Sequence, residues 1–196
     1  MKIAKIVTSN SHIDYVARVI DALDSDSPPE AEDYCFGQFV GLSGKTEDVV
    51  GVIYDSRLVN PEYGSFGPRL SPRPALGNFS PDYLNEQGIL IGILLLGVVD
   101  RSGKVTHGVP RRIVPPGQEV EKIDADAVKR FHSGADSRVH LHYYSQVVAN
   151  AGQFAIPLLD SIIDQLCANC TEPEIQRLKV LKQSLMWQGT FGGMKL

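Results

Sequence analysis

Five histidines, three cysteines and a run of four cations are the side chains here with chemistry to offer. His140-Leu-His142 would place two imidazoles on one face of an extended segment, with His132 shortly upstream. Three imidazoles are a set that could hold a divalent cation and support a metal-dependent enzyme, but no carboxylate pattern beside them completes the geometry. Cys167-Ala-Asn-Cys170 has the spacing of a redox pair. A thioredoxin-like motif opens a helix after a strand, however, and this one closes a helix. A zinc site would need two further ligands, so the expectation is a pair of half-buried thiols. Gly41-Leu-Ser-Gly44-Lys45-Thr46 resembles a phosphate-binding loop, yet Phe39 stands where that motif needs its first glycine. A strand, Val49 to Tyr54, follows where a helix N-terminus must meet the phosphates, so a hairpin turn is expected. There is no nucleophile elbow and no ordered triad. The residues therefore assign no catalytic group, no metal and no cofactor.

The cations are Arg101, Lys104, Arg111 and Arg112, with no acid between them. They could meet phosphates or an acidic partner surface, although a solvated hairpin tip is the commoner explanation of such a cluster. No aromatic residue is interleaved, which weakens a single-strand-binding reading. The formal charge of −4 also argues against bulk electrostatic attraction to nucleic acid. Nucleic acid is a possible partner but not the favoured one. The charge is uneven: residues 1–100 hold 7 bases and 14 acids, residues 101–196 hold 12 and 9. Six of the acids lie between Asp21 and Asp33 with no base among them, in a segment whose Ser25, Ser27, Pro28 and Pro29 read as a solvated loop.

Those residues need elements to position them. At 196 residues with 43% hydrophobic and 21% charged side chains, the chain has ordinary globular composition and can bury a core without a disulfide. Few cysteines, no signal-peptide pattern and a longest apolar run of about eleven residues (Ile89 to Val99) lead to the expectation of a cytoplasmic protein with no membrane partner. In the front half, Lys2 to Thr8 and Ile13 to Ile20 read as strands about a turn at Ser9 to His12, with Tyr15, Ala17 and Val19 on one face. Cys35 to Leu42 pairs with Val49 to Tyr54, and Ile89 to Val99 returns as Lys104 to Gly108 through the turn at Asp100 to Gly103. Val114 to Val120 bends into a last short strand. Six or so short strands with glycine-rich turns predict a small barrel.

The stretch from about 57 to 86 breaks the pattern with five prolines and three glycines, excluding a central strand or long helix. It carries Tyr63, Phe66, Arg69 and Arg73, types favoured at contact surfaces, and reads either as a partner-binding arm or as an inert insertion. The back quarter, 140–196, is helical. From Tyr144 the apolar residues fall at three-and-four spacing through Phe154, Leu158 and Ile162 to Leu166, with Pro157 expected to kink or split the helix. Thr171 to Glu174 has the capping-box pattern and opens a second helix along Ile175, Leu178, Leu181 and Leu185, ended by Gly189, Gly192 and Gly193. The two form a hairpin that must pack on the barrel, on another subunit or on a partner.

The order Ile3 to Thr8, Phe36-Gly-Gln-Phe-Val40, Val50-Gly-Val-Ile-Tyr-Asp-Ser56, insertion, Ile91 to Val99, Pro115-Pro-Gly117-Gln-Glu-Val120 and a helix onset at Asp124 to Phe131 covers residues 1–131. It resembles the HAS-barrel, the small β-barrel that precedes the motor domain in HerA-type DNA-translocating ATPases and in the catalytic-head subunits of ATP synthase. The gly-x-phe-val strand and the pro-pro-gly-x-x-val element carry the likeness. The resemblance implies a barrel that packs against copies of itself or docks an accessory protein, as the HerA barrel forms a ring face and contacts a nuclease. Family catalytic residues belong to the motor domain, and none maps onto this sequence.

The expected architecture is thus mainly β plus α, a six-stranded HAS-like barrel followed by a C-terminal helical hairpin. The expected role is non-catalytic: self-association or docking of a protein partner through the arm (Tyr63, Phe66, Arg69, Arg73) and the helix face (Phe154, Leu158, Ile162). A nucleic-acid-associated factor and a metal-dependent enzyme on His132, His140 and His142 are the alternatives.

Overall fold

The computed structural model describes residues 1–59, 88–134, 138–168 and 170–192, with 185–192 as backbone only. Its strands are β1 (Lys2–Ser9), β2 (Asp14–Val19), β3 (Phe39–Leu42), β4 (Glu47–Val59), β5 (Gly88–Asp100), β6 (Val105–His107) and β7 (Glu119–Lys122). Six of them close an antiparallel barrel in the order β1-β2-β5-β4-β3-β7 and back to β1. Closure gives each ring strand a partner on both sides, although β4 is paired on its β3 side only as far as Ile53. The seventh, β6, pairs with β5 at Gly97 to Val99, just beyond the stretch Leu90 to Leu94 that pairs with β2.

Antiparallel pairing sorts the connections onto two ends. The β1–β2, β3–β4 and β5–β6 turns and the β6–β7 connection share one, here the turn end. The β2–β3 connection, with its acidic run, and the ends of β4 and β5 at Val59 and Gly88 share the other, the acidic end.

Inward residues such as Tyr15, Ala17, Val40, Ile53 and Ile93 are 0–3% exposed, and with Phe39 and Val52, which face the helices, they form one core. In β5 the run Ile93 to Leu96 is buried on both faces, since one lines the barrel and the other is covered by helices. The helices are α1 (Ala125–His132), α2 (Tyr144–Asn150), α3 (Ala155–Cys167) and α4 (Glu172–Gly192). Asp124 starts α1, its carboxylate accepting from the Ala127 amide at 2.7 Å. The helices pack on their own barrel. Gln165 donates to the Gly37 carbonyl, Gln146 to that of Leu95, and Leu158, Leu159, Ile162 and Ile163 are all 0% exposed.

Four local expectations are revised. The strand expected from Cys35 begins at Phe39, because Cys35 to Gln38 is a hydrogen-bonded turn. Its partner runs from Glu47 to Val59 rather than Val49 to Tyr54, so residues 57–59 are strand and not insertion. The helix from Tyr144 does break, but at Gly152, whose φ of 55° suits glycine. Pro157 sits in the first turn of α3, where its missing N–H costs nothing. Glu174 does not complete a capping box: its carboxylate accepts from the Val139 amide and from Arg177. The arm residues Tyr63, Phe66, Arg69 and Arg73 and the stop at Gly193 lie outside the described residues.

Candidate functional site

Two regions gather the chemistry-bearing residues. The first is the seam between β6, α1 and the segment leading into α2. His107, at the end of β6, donates Nε2–H to the Phe131 carbonyl of α1 at 2.8 Å. His132, 1% exposed at the end of α1, bonds the Val128 carbonyl through Nδ1 at 2.7 Å and the Tyr143 hydroxyl through Nε2 at 2.6 Å. A carbonyl can only accept, so Nδ1 carries the proton. In neutral imidazole Nε2 is then the acceptor, and the fully buried Tyr143 O–H donates to it. Burial drives this state, pulling the His132 pKa down to about 4 and raising that of Tyr143 well above its ordinary value. Burial also lowers the His107 pKa. His140 and His142 lie on the outer side, their rings 4.9 Å apart and His142 5.7 Å from His107. The histidines border a cleft of about 180 Å³ with Ser133 and Gly134.

His132, His140 and His142 thus converge as a cluster, but not as a ligand set. Both nitrogens of His132 are engaged in the protein. Among the described residues no three histidine, cysteine, aspartate or glutamate side chains are placed to hold a metal ion. His107 is the member sequence reasoning missed. It reaches Phe131 across 24 positions, and no local spacing marks it. Cys167 and Cys170, both free and half-buried, close α3, and burial raises the Cys170 thiol so that it is not an activated thiolate.

The second region is the barrel's two ends. At the turn end Arg101 donates to the Gly44 and Lys45 carbonyls and pairs with Asp48 at 3.5 Å. Arg112 reaches the Ser43 and Glu47 carbonyls at 3.3 and 3.5 Å. Its guanidinium lies so close over Gly44 that a Cβ there would overlap it. The glycine-lysine-threonine segment is therefore a β-hairpin turn clamped by two arginines, and its carbonyls rather than its amides face cations. Lys104 and Arg111 are exposed and make no ion pair among the described residues. Next to them Val109 is 60% and Ile113 71% exposed. The loop that carries them is pinned by His12 on the Pro110 carbonyl and by the Val114 amide on the Tyr15 hydroxyl.

At the acidic end Arg18 pairs with Asp21 and Asp24, and Lys122 with Asp33, at 2.9 to 3.3 Å. Asp26, Glu30 and Glu32 make no ion pair among the described residues. A cleft of about 420 Å³ opens there, its walls including Pro28, Pro29, Leu58, Val59 and Ile89, with Leu58 82% exposed.

The helix face expected to meet a partner is not available to one. Leu158 and Ile162 are 0% exposed because the hairpin lays this face on its own barrel, and Phe154 is half-buried edge-on to Phe36, ring centroids 6.0 Å apart. Among the described residues no helix is long and apolar enough to cross a membrane.

The model of a family described as a domain of unknown function, DUF8166, matches residues 1–195, and the chain belongs to that family. No curated protein matches the chain.

Proposed function

We propose that this protein is a non-catalytic assembly or docking module built on a HAS-like barrel, acting through the ends of the barrel and not through its helix-covered flank. The observation that carries the reading is the contrast in satisfaction between them. On the flank the apolar face of α3 is packed, Val148 and Val180 standing exposed singly on α2 and α4, and His132 has both ring nitrogens bonded inside the chain. At the ends, exposed Ile113, Val109 and Leu58 sit among charges without ion-pair partners, the kind of surface expected of a contact. A nucleic-acid role has less support, since two of the four cations, Arg101 and Arg112, hold backbone carbonyls of the β3–β4 turn, which leaves Lys104 and Arg111, with Lys45 of that turn, exposed and without an ion pair among the described residues.

The test is the solution mass by light scattering behind a sizing column, at low and at high salt. A discrete oligomer, or a stable complex with a captured protein, is expected. A monomer that captures nothing would remove the reading. Binding to DNA with a steep salt dependence would promote the nucleic-acid alternative in its place.

A further inference from the structure

The two ends differ from one another in a way that specifies a partner. Residues 43–48 and 100–113, which make up much of the turn end, hold five bases (Lys45, Arg101, Lys104, Arg111, Arg112) against three acids (Glu47, Asp48, Asp100). Residues 20–38 at the acidic end hold six acids and no base. The turn end projects an apolar point: Ile113 and Val109 stand exposed with Arg111 and Arg112 between them. The acidic end offers a hollow, the cleft of about 420 Å³ with Pro28, Pro29, Leu58, Val59 and Ile89 in its walls and Asp21 at its side. Charge and shape are therefore opposite on two faces of the same molecule.

We propose that the turn end of one copy seats in the acidic-end cleft of the next. Ile113 and Val109 enter the apolar hollow, and Arg111 with Lys104 meets the uncompensated Asp26, Glu30 and Glu32. Such a contact uses different patches on the two partners, so it is heterologous: it closes into a ring if the rotation per copy closes and otherwise grows as a filament. This inference rests on the assembly reading above and adds which surfaces meet and in what orientation. Charge complementarity of this kind speeds and orients docking, and it weakens with salt over a screening length of about 10 Å at 0.1 M.

Mixing variants tests the orientation. Ile113→Asp places a carboxylate on the apolar point, and Leu58→Asp adds one at the mouth of the hollow. Both side chains are more than two-thirds exposed, so both variants should melt like the parent by circular dichroism. The expected result is an oligomeric parent, two monomeric variants, and a one-to-one dimer when the variants are mixed, because each retains the end the other lacks. A parent that is monomeric at low salt overturns this contact, and removes the proposed function with it only if the monomer also captures no protein. An oligomeric parent whose mixed variants stay monomeric overturns the head-to-tail contact alone. An oligomer unchanged in mass by Leu58→Asp does the same, and would mean that another part of the chain or another surface fills the cleft.

Discussion

The flank of the barrel and its ends contain the same kinds of residue, yet the chain treats them oppositely. On the flank, Leu158 and Ile162 vanish into the core, and His107 and His132 each bond a backbone carbonyl of α1. At the ends, Ile113 and Leu58 remain in water, and Arg111 has no ion-pair partner among the described residues. The difference shows that residue type alone does not announce function. An imidazole or an apolar stripe is informative only once its partners have been counted, and what remains unpartnered is where a second molecule has something to gain.

The sharpest way to break this comparison is to truncate the flank. Leu158→Ala should cost about 2–5 kcal/mol, the range for deleting a fully buried leucine, while leaving the association state of the surviving folded protein unchanged. Urea unfolding and light scattering on the same sample decide it. A variant with parental stability and altered mass would make the helix face a contact surface after all.

Acid should act on the same seam. The folded pKa of His132 is about 4, below the ordinary value near 6.5, so between these limits the unfolded chain binds more protons than the folded one. Its contribution is complete above pH 6.5 and is lost as pH falls toward 4. The loss amounts to about 2 kcal/mol by pH 5 and about 3 kcal/mol at the limit. His107, also depressed by burial, adds a loss of the same sign. Asp33, Asp100 and Glu174 are lowered by their hydrogen bonds, so their contribution is lost with the same sign as pH falls through the ordinary carboxylate range, mostly below about pH 5. Urea midpoints measured between pH 7.5 and 5 should therefore fall for the parent and be visibly flatter for His132→Gln. Equal slopes would mean that His132 is not held neutral.

A smaller effect isolates one bond. Tyr143→Phe leaves the buried Nε2 of His132 with a lone pair and no donor, at a cost of about 1–3 kcal/mol. Combining it with His132→Phe should recover part of that loss, since removing both partners strands neither. A double variant that is worse than the sum of its parts would show that packing around the ring, not the bond, holds the seam.

The strands were legible because a barrel writes itself into alternating positions: Tyr15, Ala17 and Val19 read as one face and are one face. The partner of the helix hairpin was not legible. A three-and-four stripe through Leu158 and Ile162 looks the same whether it meets its own barrel or another chain, and only the folded contacts decide. Pro157 misled for a local reason, since proline disrupts a helix interior but is tolerated in the first turn, and it was Gly152 that set where that turn begins. His107 was invisible because its bond to Phe131 depends on β6 folding back beside α1. The polarity of the two ends had the same obstacle. Residues 43–48 and 100–104 meet because antiparallel pairing returns alternate connections to one end, and 109–113 joins them because His12 and Tyr15 hold its loop against the β1–β2 turn.

The smallest expected effect on stability is the most telling about that end. Arg111 is exposed and makes no ion pair among the described residues, so Arg111→Glu should change unfolding stability by no more than about 0.5 kcal/mol. Arg112→Ala is its counterpart, because Arg112 lies half-buried with its guanidinium on the Ser43 and Glu47 carbonyls. That substitution should cost about 1 kcal/mol by releasing the β3–β4 turn. If the ends are contacts, the ranking must invert when association is measured. Reversing the exposed charge at Arg111 should weaken assembly strongly at low salt and progressively less as salt is raised. Removing Arg112 should weaken it less, because that guanidinium already faces its own chain. Equal effects of the two on assembly would mean that the turn's conformation, and not the charge it presents, is what a second copy recognises.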